Sequence, residues 1–269
     1  MKYLFICAHP DDLEFSCGNL IHYLAQHGKN IDILCLTKGE FGILEPNWKG
    51  PRLAKIRVQE LRRAAKINGI DSNHVYTGDI IDGFIRFTKD NLKMMIEWIN
   101  QLKPDIVFAP EAYYTYYWHV DHISIGKLLY YIFTKLRNKL NNPIQTLYFY
   151  TTAKGTFSWP FNNTEQCYKA IFAHESQWWL LKWTKLFYPL EKHNFKKRKL
   201  GNWKMLENYR RVKNSGKEPK TSIFFRAILG LIRHRHIINP PESHFILPDM
   251  NSPFGLEVKD LRKKYYFKD

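Results

Sequence analysis

Apolar positions along the first 150 residues follow two alternating rhythms. Short runs that are apolar at nearly every position predict buried strands at Tyr3–Ala8, Ile31–Leu36, Asp105–Ala109 and Thr146–Tyr150, and Val75 marks another short one. Between them, apolar residues recur at helical spacing. Cys17–His27 carries Leu20, Ile21 and Leu24 and stops at Gly28, and a second helix opens at Pro51, runs to about Asn68 and closes at Gly69. Two more are predicted at Asn91–Leu102 and Ile123–Leu140. Strands alternating with helices predict an α/β fold: a Rossmann-like open, mostly parallel sheet with helices on both faces. Beyond Thr151 the rhythm breaks into aromatic- and lysine-rich helical pieces, a loop at Asn214–Lys220 and a proline-containing tail. We expect one domain over residues 1–269, with 1–150 as the α/β core and 151–269 as an elaboration packed on the same sheet.

Composition sharpens this picture only in places. The 269 residues are 45% hydrophobic and 25% charged, which excludes wholesale disorder, collagen and coiled coil. No apolar run approaches the roughly 18 to 20 residues of a membrane span. The N-terminal apolar stretch is too short for a signal peptide, and Asp11 and Asp12 follow it at once. Cys7, Cys17, Cys35 and Cys167 have neither metal-thiolate nor disulfide-framework spacing. A cytoplasmic protein is expected.

The net charge of +16 is unevenly placed. Residues 1–150 hold 18 Lys and Arg against 15 Asp and Glu, and residues 151–269 hold 23 against 10. The basic part also contains most of the tryptophans, notably in the cluster Trp178–Tyr188, with the basic run at residues 196–199 close behind. A short amphipathic stretch at Ile223–Ile232 follows. Two readings stand side by side: core helices with a solvated lysine face, or peripheral attachment to an anionic membrane at its inner face. No recognised nucleic-acid motif accompanies the charge, so nucleic acid is not the expected partner.

Candidate chemistry sits in two clusters. His9, Pro10, Asp11 and Asp12 follow the first strand, and His119, Val120, Asp121 and His122 follow the fourth. In open α/β sheets, ligands bind beyond the carboxyl ends of strands where the strand order reverses. With strands two and three on one side of strand one, and four and five on the other, both clusters emerge at that point. Three histidines and three aspartates suit zinc or another divalent first-row metal, with enough groups left for a carboxylate base and an orienting partner. Taken singly, Asp11, Asp12 or Asp121 could instead be a helix cap and His119 a loop residue.

Residues 8–18, AHPDDLEFSCG, resemble the opening motif of the LmbE-like, or PIG-L, family of zinc-dependent de-N-acetylases. TKGEFG at 37–42 is similar to the second motif of that family, and RVQE at 57–60, with Ala64 and Gly69, to the third. Asp82-Gly83 and HVDH at 119–122 match the next two, with weaker echoes in HESQ at 174–177 and ESHF at 242–245. The resemblance implies that His9, Asp12 and His122 ligate zinc and that Asp11 is the general base. It implies that a protonated His119 assists at the tetrahedral intermediate and that Asp121 orients a neighbouring histidine. Arg57 and Asp82 fall where family members contact the sugar. Ser16, Asn19 and Asn68 depart from the commoner residues of the family, without touching an implied ligand. The implied activity removes an N-acetyl group from a GlcNAc-type acetamido sugar, free or carried on a lipid or glycan. A metal-dependent amidase for another conjugate, and a non-catalytic basic binding protein on the same fold, are the alternatives.

Overall fold

The computed structural model describes residues 1–43, 46–115, 117, 119–160, 164–182, 184–185 and 206–214. Seven strands form one sheet: β1 (Lys2–Cys7), β2 (Asn30–Cys35), β3 (Val75–Thr77), β4 (Ile106–Pro110), β5 (Thr146–Tyr150), β6 (Phe157–Pro160) and β7 (Leu206–Arg211). Their order is β3-β2-β1-β4-β5-β7-β6. The first five are parallel, with Phe5 beside both Ile33 and Phe108, whereas β7 runs antiparallel to β5 and β6 antiparallel to β7. The chain order reverses between β1 and β4, as expected.

Helices α1 (Asp12–Ser16), α2 (Gly18–Gln26) and α3 (Pro51–Ile67) pack on one face, and α4 (Lys89–Leu102) and α5 (Val120–Lys135) on the other. Alternate residues of β1 therefore enter different cores. Leu4 and Ile6 meet Met95, Ile99 and Ile125, while Phe5 and Cys7 meet Leu13, Ile21 and Leu61. Burial on both faces is why this strand reads as a continuous apolar run rather than an alternating one. Phe5 stacks on Phe108, and Phe108 on Tyr148, at centroid distances of 4.5 and 5.1 Å, tying β1, β4 and β5 together on the α2 side. Helix α6 (Thr164–Phe172) lies against α3, with Ala64, Ala170 and Ala173 in contact.

Three features differ from the sequence expectation. Helix α5 begins at Val120 rather than Ile123, because the His119 ring caps it by accepting the Asp121 N–H at 3.2 Å. It gives way to a 3₁₀ turn at Arg137–Lys139 instead of running on to Leu140. Strands β6 and β7 extend the sheet where helical pieces had been expected. The segment LENYRR of β7 is polar in sequence, yet Glu207 and Arg210 are buried because each has partners. The Glu207 carboxylate accepts the Asn19 and Leu20 N–H groups at 2.7 and 3.0 Å, capping α2 from a strand 188 positions along the chain from Asn19. Arg210 forms a two-pronged pair with Glu111 at 2.6 and 2.7 Å.

No described helix is long and apolar enough to cross a membrane. The Trp178–Tyr188 cluster is described only in part, with Trp178 and Trp179 exposed. The 196–199 run, the Asn214–Lys220 loop beyond Asn214, the Ile223–Ile232 stretch and the ESHF echo lie outside the described residues.

Candidate metal centre

The loops leaving β1 and β4 converge. His9 follows β1 directly, and its ring is held between two sets of partners. Nδ1 lies 3.3 Å from Nε2 of His122 and 3.6 Å from Oδ2 of Asp12. The third side of this triangle, His122 Nε2 to Asp12 Oδ2, is 3.1 Å. Donors sharing a tetrahedral ion at bond lengths of about 2.0–2.1 Å stand about 3.3–3.4 Å apart, so three donor atoms here are spaced as a zinc-like ion requires. His9, Asp12 and His122 are thus a fitting set of two imidazoles and one carboxylate. The Asp12 oxygen is fixed by the Ala8 and His9 N–H groups at 3.0 and 2.8 Å.

The opposite nitrogen of His9, Nε2, faces Asp82 Oδ1 at 3.1 Å and Asp121 Oδ2 at 3.3 Å. Carboxylates behind a ligating imidazole fix its ring and raise its basicity. Burial opposes charge on His9, but Asp82 and Asp12 outweigh it and raise its pKa well above the ordinary value. Burial likewise works against an ionised Asp12, yet His122 and His9 hold its pKa well below the usual carboxylate range. Asp121 is wholly buried and also accepts the Gly83 and Ile85 N–H groups at 2.8 and 3.1 Å, so the helix carrying His122 is fastened to the loop carrying Asp82.

Asp11 stands beside the triangle without belonging to it. Its Oδ1 accepts from Arg57 Nη2 at 2.8 Å, leaving Oδ2 without a hydrogen-bond partner among the described residues. Arg57 comes from α3 and threads past the loop after β2, where Nη1 donates to the Gly39 carbonyl at 3.1 Å. That passage exists only because the loop is glycine at two points. A Cβ at Gly39 would lie 2.6 Å from Arg57 Nη1, and one at Gly42 would lie 2.0 Å from the same atom. Gly39 also has φ +65°, a left-handed conformation that costs glycine little. Thr37 ties this loop to the one after β1 by donating to the Ala8 carbonyl at 2.8 Å.

All eight residues singled out in the sequence come together here. His9, Asp12 and His122 form the triangle, and Asp11 adjoins it. His119 lies edge-on to His9 at a centroid distance of 4.7 Å. Asp121 backs His9, while Arg57 and Asp82 engage Asp11 and His9. The charge of the resting His119 ring is set by its surroundings. Burial, followed by the nearby His9, pushes its pKa down to about 4, so the ring is neutral near pH 7. Because Nδ1 accepts the Asp121 N–H, the hydrogen-bond network assigns the proton to Nε2.

Other groups escaped residue-level notice. Glu40 accepts the Asp82 N–H at 3.3 Å on Oε1, and its buried Oε2 has no hydrogen-bond partner among the described residues. Burial, then the Asp82 charge, lifts its pKa to about 7. Glu14 contacts His174 at 3.1 Å in the interior, and Ser176 bonds Glu60 through its N–H and hydroxyl at 2.7 and 2.6 Å. The HESQ echo is therefore a buried clasp onto α1 and α3.

Comparison with known proteins places this arrangement. Residues 4–133 match the family described as PIG-L: GlcNAc-PI de-N-acetylase. Over 127 residues the chain is 32% identical to the diacetylchitobiose deacetylase of Thermococcus kodakarensis, covering 47% of each chain. Over 151 residues it is 25% identical to the 1D-myo-inositol 2-acetamido-2-deoxy-alpha-D-glucopyranoside deacetylase of Corynebacterium efficiens, covering 48% of each. The matched part of the chain spans about half the length of these curated relatives. Among solved structures, the N,N'-diacetylchitobiose deacetylase from Pyrococcus horikoshii shares the fold with a TM-score of 0.67. The identity is 27%, over 79% of this chain and 84% of that one.

Proposed function

We propose that this chain, whose residues 4–133 match the PIG-L family, is a metal-dependent hydrolase that removes the N-acetyl group from a GlcNAc-type acetamido sugar. The observation that carries the reading is the donor triangle of His9 Nδ1, Asp12 Oδ2 and His122 Nε2, with sides of 3.1 to 3.6 Å and a carboxylate beside it. A divalent ion such as zinc, held by these three atoms, would supply a Lewis acid and acidify a water molecule.

The remaining work falls to the protein. Asp11 takes a proton from the attacking water on Oδ2, the oxygen that Arg57 leaves free. Arg57 is then a positioning residue, holding the base in one rotamer. His119 donates from Nε2 to the oxygen that gains charge as the carbonyl becomes tetrahedral. A neutral imidazole suffices for this, and its placement as the α5 cap means no reorganisation is needed. Asp11 returns its proton to the amide nitrogen as the C–N bond breaks, leaving acetate and a free amino sugar. Asp82 and Asp121 hold His9 through Nε2 and so leave Nδ1 on the donor triangle that would hold the ion, which adds a structural duty to Asp82 beyond the sugar contact implied by resemblance.

The test is acetate release by the zinc-loaded protein from N-acetylglucosamine, its β1,4-linked dimer, a nucleotide-linked form and a lipid-linked form. Stoichiometric acetate and free amine from at least one of them, abolished by chelation and restored by metal, is expected. No acetate from any of the four, with metal bound, would overturn the proposal.

A further inference from the structure

A groove of about 640 Å³ opens at the edge of the sheet remote from the metal centre. It is lined by the turn after α5, the start of β5, the start of β6 and the end of β7, through Arg137, Gln145, Tyr148, Phe157, Arg211 and Lys213 among others. The topology sets its distance from the site. The metal centre lies beyond the carboxyl ends of the parallel strands, whereas this groove gathers around the amino end of β5. Antiparallel β7 finishes there, with Arg211 opposite Tyr148. Helix α5 spans the interval. It starts beside His119 and runs 16 residues before Arg137, about 24 Å at 1.5 Å per residue.

Three cations meet in this groove. Arg137 lies over the Phe133 ring at 5.7 Å, and neither it, Arg211 nor Lys213 forms an ion pair among the described residues. A carboxylate tied to the lining, Asp105, is already engaged by the Gln145 amide at 3.2 Å and the Lys2 N–H at 2.7 Å. Beside the cations, the Phe157 ring is 37% exposed and tilts toward Tyr148 at 6.2 Å. The volume lies within the range of small-molecule sites, about 300–1,000 Å³. Guanidinium forks match phosphate oxygens, and an exposed aromatic face accepts a sugar or base ring.

We propose that this groove is a second binding site, separate from the metal centre, for a small phosphorylated ligand. Its phosphate sits among Arg137, Arg211 and Lys213, and its ring rests on Phe157. Among the described residues the lining holds no carboxylate, histidine or cysteine, so the site binds without converting.

Calorimetric titration of the whole chain with ADP, glucosamine 6-phosphate and inorganic pyrophosphate tests this. At least one probe should saturate at one equivalent, and raising salt from low to moderate concentration should weaken it. Arg211→Ala/Lys213→Ala should weaken binding by about tenfold or more, and so should Arg137→Ala, which perturbs a different element. His122→Ala should leave binding intact, and the groove variants should retain their thermal transition. No saturable binding of any probe overturns the proposal. Binding lost in His122→Ala, or unchanged in both groove variants, overturns it too. Tight binding of a single-stranded oligonucleotide without binding of the small probes would replace it with a polyanion surface.

Discussion

A single methyl group at position 42 offers a severe test of how the proposed base is held. The backbone of Gly42 lies in a region open to alanine, so Gly42→Ala adds no conformational strain. Its Cβ would stand 2.0 Å from Arg57 Nη1 and 3.2 Å from Cζ. Ordinary contact requires about 3.5 Å, so the guanidinium must retreat by about 1.5 Å. The 2.8 Å bond from Nη2 to Asp11 then stretches beyond hydrogen-bond reach. A buried hydrogen bond between charged groups contributes about 1.5–3 kcal/mol. If that energy serves to orient Asp11, turnover should fall by roughly 10- to 150-fold. Metal content should not change, since neither Gly42 nor Arg57 touches the donor triangle. The assay is acetate release under saturating substrate, with metal by plasma mass spectrometry and a melting curve to gauge overpacking. A double-mutant cycle isolates the cause. With Arg57→Ala already in place the obstacle is gone, so adding Gly42→Ala should cost nothing more. Full additivity, or unchanged turnover in Gly42→Ala, would refute the argument.

The remaining expectations are independent of that cycle. His122→Ala should lose bound metal while keeping its circular-dichroism spectrum, and stoichiometric metal in this variant would remove His122 from the ligand set. Asp11→Asn should keep its metal and lose about two to four orders of magnitude in turnover, measured as acetate release; near-normal rates would mean another group takes the proton. Glu207→Ala should destabilise the fold at pH 5 by about 2–4 kcal/mol in urea unfolding, because two N–H groups of α2 and the Tyr209 hydroxyl lose their acceptor. Burial raises the Glu207 pKa from 4.5 to about 7, so the native chain binds more protons than the unfolded one between those values. The wild type should therefore lose up to about 3 kcal/mol from this group as pH climbs through that window, and the variant should show a correspondingly flatter profile.

The parallel half of the sheet was legible because its strands are buried on both faces. Runs such as Tyr3–Ala8 admit few other readings, and the order supposed for five such strands, with its reversal between β1 and β4, is the one observed. The convergence of His9 with His122 was legible for the same reason. What escaped notice depends on partners distant in sequence. Glu207 and Arg210 look like surface charges in LENYRR, and only Asn19, Leu20 and Glu111, between about 100 and 190 positions away, explain their burial. Local periodicity carries no trace of such pairings. The surroundings that set the charge of the resting His119 ring were hidden on similar grounds. A ring that caps its own helix beside a second buried histidine loses its charge, and neither neighbour's position can be read from HVDH alone. The narrow passage for Arg57 was likewise hidden, although the spacing of Gly39 and Gly42 in TKGEFG was the visible sign.

Strand β7 also has a consequence in time. Ribosomes add residues from the amino end, so the parallel strands and all eight site residues are synthesised well before Leu206–Arg211. Until that strand arrives, β5 has an open edge, α2 lacks the Glu207 cap, and Glu111 is a buried carboxylate without its arginine. Closing the edge joins segments more than fifty residues apart, an intrinsically slow step. The nascent chain thus passes through a stage in which its chemistry is fully encoded but its sheet is adhesive. Recombinant yield should accordingly respond more to substitutions in β7 and to chaperone supply than to changes at the metal ligands.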